Sequence, residues 1–202
     1  MDNKILIKNR FKDSIEVKYT LSQDDSIVML INEIANAILD SLKNGGKLIL
    51  AGNGGSYADA IHIAGEFVSR FMFDRGPLSA IALGSNNTIV TAIGNDYGYE
   101  ELFCREFESL VRAEDVLICI STSGNSLNIL KLATLACEKG IKAYGFTGQS
   151  GGELARLIEC LKVPSSITAR IQETHITVGH IICEIVESNM FPKQIAQILN
   201  PI

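Results

Sequence analysis

KLILAGNGGS, residues 47–56, is a short apolar run that closes on glycine and opens directly into a helical pattern over Ser56–Phe71. A buried strand feeding a helix through a glycine-rich turn is the repeating unit of a parallel α/β sheet. The same grammar recurs downstream. Leu78–Leu83, Val116–Ser121 and Lys142–Thr147 read as three more apolar strands and Cys160–Val163 as a fifth. Helical patterns lie between them, notably Leu127–Lys139, and the last long one covers Arg170–Glu187. Upstream, Ile27, Leu30, Ile31, Ile34, Ala37, Ile38 and Leu42 recur at helical spacing. Strands apolar on both faces, joined by helices long enough for right-handed crossovers, predict a three-layer α/β/α sandwich around a parallel five-stranded sheet.

The 202 residues suit one large domain, divided as an N-terminal helical segment (1–45), an α/β core (46–190) and a C-terminal tail (191–202). Hydrophobic residues at 47% and charged residues at 20% indicate an ordinary folded globular chain. A net charge of −5 with no Lys/Arg run leaves no footprint for nucleic acid. No run of about 20 apolar residues is present, so no membrane span is expected. The five cysteines lack CxxC spacing, which predicts reduced thiols, and no signal peptide is evident behind Met1. A cytoplasmic protein is the expectation.

In parallel sheets ligands bind at the carboxyl ends of the strands, and two of those ends have unusual loops. In Gly52-Asn53-Gly54-Gly55-Ser56 the glycines let backbone N–H groups approach an anion at a helix start. Ser56 can cap that helix or donate its hydroxyl to an oxyanion. Ser121-Thr122-Ser123-Gly124-Asn125-Ser126 places four hydroxyls within six residues. A capped turn needs only one of them, whereas a phosphate dianion, whose oxygens only accept hydrogen bonds, suits all four. Neither loop is a Walker A or a GxGxxG sequence, which disfavours nucleotides and favours a small phosphorylated metabolite.

The remaining polar groups are sparse. His62 and Glu66, four apart, share one face of the helix after the first loop. Gln172 and His180, on the last long helix, are separated by about 12 Å of rise. Together they form a His/Glu/Gln/His set, of which zinc accepts the imidazoles and carboxylate readily and the amide oxygen less well, but spacing alone favours a surface pair and a core histidine over a metal site. Gly94-Asn95-Asp96, after the second strand, can bond sugar hydroxyls or simply end a helix.

AGNGGS (51–56), GND (94–96), ISTSGNS (120–126) and RIQE (170–173), in that order, resemble the sugar isomerase (SIS) domain family, most closely its phosphoheptose isomerase branch. The resemblance implies a flavodoxin-like sheet with an N-terminal helical extension, and a homotetramer with active sites at subunit interfaces. It implies conversion of sedoheptulose 7-phosphate to D-glycero-D-manno-heptose 7-phosphate, a precursor of surface glycans. By matching motif, Asn53, Gly54, Gly55, Ser56, Glu66, Asn95, Asp96, Ser121, Thr122, Ser123, Ser126 and Gln172 meet the substrate, with the four hydroxyl residues on its phosphate. His62, Glu66, Gln172 and His180 match the metal positions, one zinc per subunit. Glu66 is the implied base and His180 the implied acid of an enediol mechanism, with Glu173 a reserve base. A non-enzymatic SIS relative that regulates replication initiation lacks the equivalents of Glu66 and His180, so their presence favours an enzyme over that alternative. An isomerase of another sugar phosphate is the other reading.

Overall fold

The computed structural model describes residues 2–192 and Gln194; most of the expected 191–202 tail lies outside these residues. The chain opens with two helices, α1 (Asn3–Ser22) and α2 (Asp25–Lys43). The carboxylate of Asp24 accepts from the backbone N–H groups of Ser26 and Ile27 and starts α2, whose Leu30, Ile31, Ile34 and Ile38 are buried on one face. There follow β1 (Leu48–Gly52), α3 (Gly55–Val68), β2 (Ala80–Ala82), α4 (Asn87–Asp96), a 3₁₀ turn at Tyr99–Glu101 and α5 (Leu102–Leu110). The second half contains β3 (Val116–Ile120), α6 (Leu127–Glu138), β4 (Lys142–Thr147), the short α7 (Leu154–Leu157), β5 (Glu159–Lys162) and α8 (Thr168–Met190).

The five strands are parallel in the order β2-β1-β3-β4-β5, the flavodoxin-like arrangement. Alternation along β1 sorts the core into two layers. Leu48 and Leu50 face α2, α3 and α8, while Ile49 and Ala51 face α5 and α6. The edge strand β2 is shorter than the apolar run Leu78–Leu83, since Leu78 N–H leaves the sheet to bond Phe67 O. Helix α3 also stops short of Phe71, with Ser69 N–H closing on Gly65 O. No disulfide forms among the described residues, and no helix there is long and apolar enough to cross a membrane.

After β2 the chain returns to the other side of β1, so the topological switch point lies between β1 and β3. Their register pairs Gly52 with Ile120. The loops 53–56 and 121–126 therefore leave the sheet side by side.

Candidate active site

The first loop turns at Gly54, with φ 55°, which is the N-terminal boundary residue of α3 and gives it no side-chain cap. Ser56 is thus not the helix cap; it sits buried in the first turn, its N–H on Asn53 O. Gly55 lies directly against the Gln172 amide, which a Cβ there would displace. Asn53 is tied to the second half of the sheet. Its amide pairs reciprocally with buried Asn128 on α6, and its Oδ1 also accepts from the Tyr99 hydroxyl.

The second loop is held from behind. Gly124, with φ 66°, lies against Gly151 and Gly152 with no room for a Cβ, and Gly148 N–H bonds Thr122 O. A cavity of about 270 Å³ opens at this point, lined by Thr122, Ser123 and Asn125, by Gln149 and Ser150 after β4, and by Ser165, Ser166 and Thr168 before and at the start of α8. The hydroxyls of Ser121 and Ser126 bond each other at 3.1 Å and brace the loop. The sequence pattern did not single out Ser165, Ser166 and Thr168, because they follow the weakest strand and join this loop only through the β3-β4-β5 order.

Helices α3 and α8 run side by side in parallel. Gly55 meets Gln172 near their starts, Ile63 packs on Gly179 midway, and Phe71 N–H reaches Glu187 at the far end. This brings His62, Glu66 and His180 together, with one ligand atom from each all within 4.8 Å of one another. His62 Nε2 is 3.1 Å from Glu66 Oε1. The His62 and His180 rings meet edge to face at 5.0 Å, and Phe71 packs 5.4 Å from the His180 ring. His180 Nε2 is buried and has no hydrogen-bond partner. Two imidazoles and a carboxylate form a zinc-type donor set.

Gln172 lies elsewhere within the chain, against Gly55 and about two helical turns along α8 from His180. Glu173 is engaged by Arg170 at 2.8 Å and by Lys18 of α1 at 3.5 Å rather than by His62 or His180. Asn95 and Asp96 are exposed at the end of α4 and bond each other at 2.7 Å, a few residues before the Tyr99 that touches Asn53. Asp59 was not anticipated. It stands three residues before His62 on α3, its Oδ2 is buried without a partner, and burial pushes its carboxyl up to about 6 against an opposing pull from His62. Its i, i+3, i+7 spacing with His62 and Glu66 was the available signal.

Comparison with known proteins gives consistent matches. The SIS domain family matches residues 16–148. A phosphoheptose isomerase of Aneurinibacillus thermoaerophilus is 51% identical over 193 residues, covering 95% of this chain and 98% of that protein. Phosphoheptose isomerase 2 of Campylobacter jejuni is 53% identical over 93% of this chain and 94% of its own. The solved phosphoheptose isomerase of Neisseria gonorrhoeae superposes with a TM-score of 0.85 at 38% identity, covering 92% of this chain and 98% of that one.

Proposed function

The chain belongs to the SIS-domain family and, within it, to the phosphoheptose isomerases, and from that premise we propose that it interconverts sedoheptulose 7-phosphate and D-glycero-D-manno-heptose 7-phosphate. The observation that carries this reading is the gathering of His62, Glu66 and His180 along the same helix pair whose start borders the hydroxyl-lined cavity. The phosphate is assigned to the cavity, with Thr122 and Ser123 as donors and Ser121 and Ser126 holding the loop. Gly54, Gly55 and Ser56 border its sugar side, Asn53 holds that loop in place, and Asn95, Asp96 and Gln172 are assigned to the sugar hydroxyls. About 12 Å of α8 between Gln172 and His180 keeps the phosphate away from the reacting carbons.

At that end Glu66 takes a proton from C1, and His180 gives one to the C2 carbonyl oxygen, forming an enediol. Return of the proton to C2 and loss of the O1 proton produce the aldose. Glu66 Oε1 is engaged by His62, so Oε2 is assigned the proton transfer. His62, Glu66 and His180 fit a divalent ion, zinc by their chemistry; Gln172 is proposed as a fourth ligand, which requires its amide to leave Gly55 and lean along α8 toward His180. When bound, such an ion polarises the carbonyl and stabilises negative charge on the enediolate oxygen.

The chain is read as one SIS domain, residues 1–202, assembled as a homotetramer with sites at subunit interfaces. Three features support this. Ile7, Phe11, Ile15 and Tyr19 form an exposed apolar stripe on α1, and an apolar groove of about 450 Å³ runs between α1, α2 and α8. The His62 side chain is also half exposed, at 50%. A cytoplasmic role in making heptose for lipopolysaccharide or capsule follows from the proposed reaction.

Turnover of sedoheptulose 7-phosphate, a hexose 6-phosphate and a pentose 5-phosphate by one preparation, with metal analysis and a chelated control, tests the reading. Turnover confined to the heptulose, with one zinc per subunit, is expected. Turnover only of a shorter sugar would replace the substrate, and no turnover would remove the enzyme.

A further inference from the structure

We infer that the buried Arg75–Glu187 pair is a positioning device for the proton-transfer site: it locks the end of α3, which bears His62 and Glu66, to the face of α8 that bears His180. The inference rests on the reading of that cluster given above. Arg75 and Glu187 are 1% and 2% exposed, and Arg75 Nε donates to Glu187 Oε1 at 2.8 Å. Desolvating two charges is costly, and an apolar pair of similar volume often serves stability as well. The groups bonded by the pair point to its use.

Arg75 Nη2 donates to the main-chain carbonyl of Glu66 at 2.8 Å, and Nη1 donates to those of Phe67 at 2.7 Å and Gly76 at 3.0 Å. The first two are among the last carbonyls of α3, which have no partner inside the helix, and a cation is favoured there. Glu187 accepts from Phe71 N–H at 2.8 Å and Met72 N–H at 2.7 Å. Phe71 in turn packs on the His180 ring, and Glu187 stands two turns beyond His180 on α8. One ion pair therefore fixes the main chain at Glu66, the wall behind His180 and the separation of the two helices. A lysine preserves the charge but lacks the planar fork that reaches Glu187 and two helix-end carbonyls together.

The test compares wild type with Arg75→Lys and Glu187→Gln, each first checked for native circular dichroism and assembly mass. Two quantities are read: kcat and KM for sedoheptulose 7-phosphate, and zinc affinity in competition with a chromophoric chelator. Misplaced catalytic and ligand groups predict a kcat lowered by about 10²-fold with little change in KM. They also predict zinc affinity weakened by about 10–100-fold. A variant that melts at lower temperature but keeps wild-type kcat and zinc affinity would make the pair merely structural and overturn the inference. Arg75→Lys failing to fold leaves Glu187→Gln to be read in the same way, and loss of fold in both also overturns it. If wild type turns over no sugar phosphate, the isomerase reading fails, while the zinc measurement still decides whether the pair positions the three ligands.

Discussion

The amides of Asn53 and Asn128 bond each other twice, at 2.9 Å and 3.0 Å, and so join the loop after β1 to the helix after β3. Because the Tyr99 hydroxyl also takes Asn53 Oδ1 at 2.7 Å, the Asn53 side chain is committed to protein partners. These bonds hold the Gly54–Ser56 backbone in place beside the loop at 121–126.

Asn128→Ala should therefore lower stability by about 1–3 kcal/mol, the cost of leaving a buried amide unpaired. It should also raise KM, although Asn128 is outside the assigned substrate contacts. Urea midpoints and steady-state kinetics on the same preparation check both; a stable variant with unchanged KM would uncouple the loops.

Glu66→Gln and His180→Ala should each lower kcat by about 10²–10⁴-fold with native circular dichroism retained, as loss of a proton-transfer partner requires. Wild-type turnover by Glu66→Gln would remove Glu66 as the base.

The double change Thr122→Val and Ser123→Ala should raise KM much more than it lowers kcat. On the proposed assignment the phosphate is remote from the reacting carbons, so its contacts should act almost equally in the ground and transition states. Initial rates across a substrate range read the two constants separately, and an unchanged KM would move the phosphate out of this cavity.

His175 is buried on α8, its Nε2 3.1 Å from Thr147 O, and burial pulls its imidazole down to about 4 while that carbonyl pulls the other way. A depressed folded-state value means that the unfolded chain binds the extra proton first. The neutral ring's contribution is thus complete above about pH 6.5 and is lost as pH falls from there toward 4, by at most ~1.4 kcal/mol per pH unit. His175→Gln should flatten that slope between pH 7 and 5 in urea melts; an unaltered slope would show that His175 takes no part in it.

Light scattering should give a mass near four times 21.9 kDa. Charging the α1 stripe, as in Phe11→Glu with Ile15→Glu, should lower that mass and activity together. Full activity at the monomer mass would place the whole site within one subunit.

By itself the sequence determined the strands and the loops at their ends, because a run of alternating or continuous apolar residues and a glycine at a strand end act within a few residues of one another. The i, i+4 spacing likewise put His62 beside Glu66 before any packing was known. Spacing along one helix could not decide which of Gln172 and His180 approaches that pair. Only the tertiary structure did: parallel packing of α3 on α8 sets His180 against His62 and Gln172 against Gly55. The order β2-β1-β3-β4-β5 likewise brought Ser165, Ser166 and Thr168 to the loop at 121–126, and folding joined Arg75 to Glu187 across 112 residues. Contacts between elements depend on which faces are left to be buried once the sheet has formed, and no local period records that.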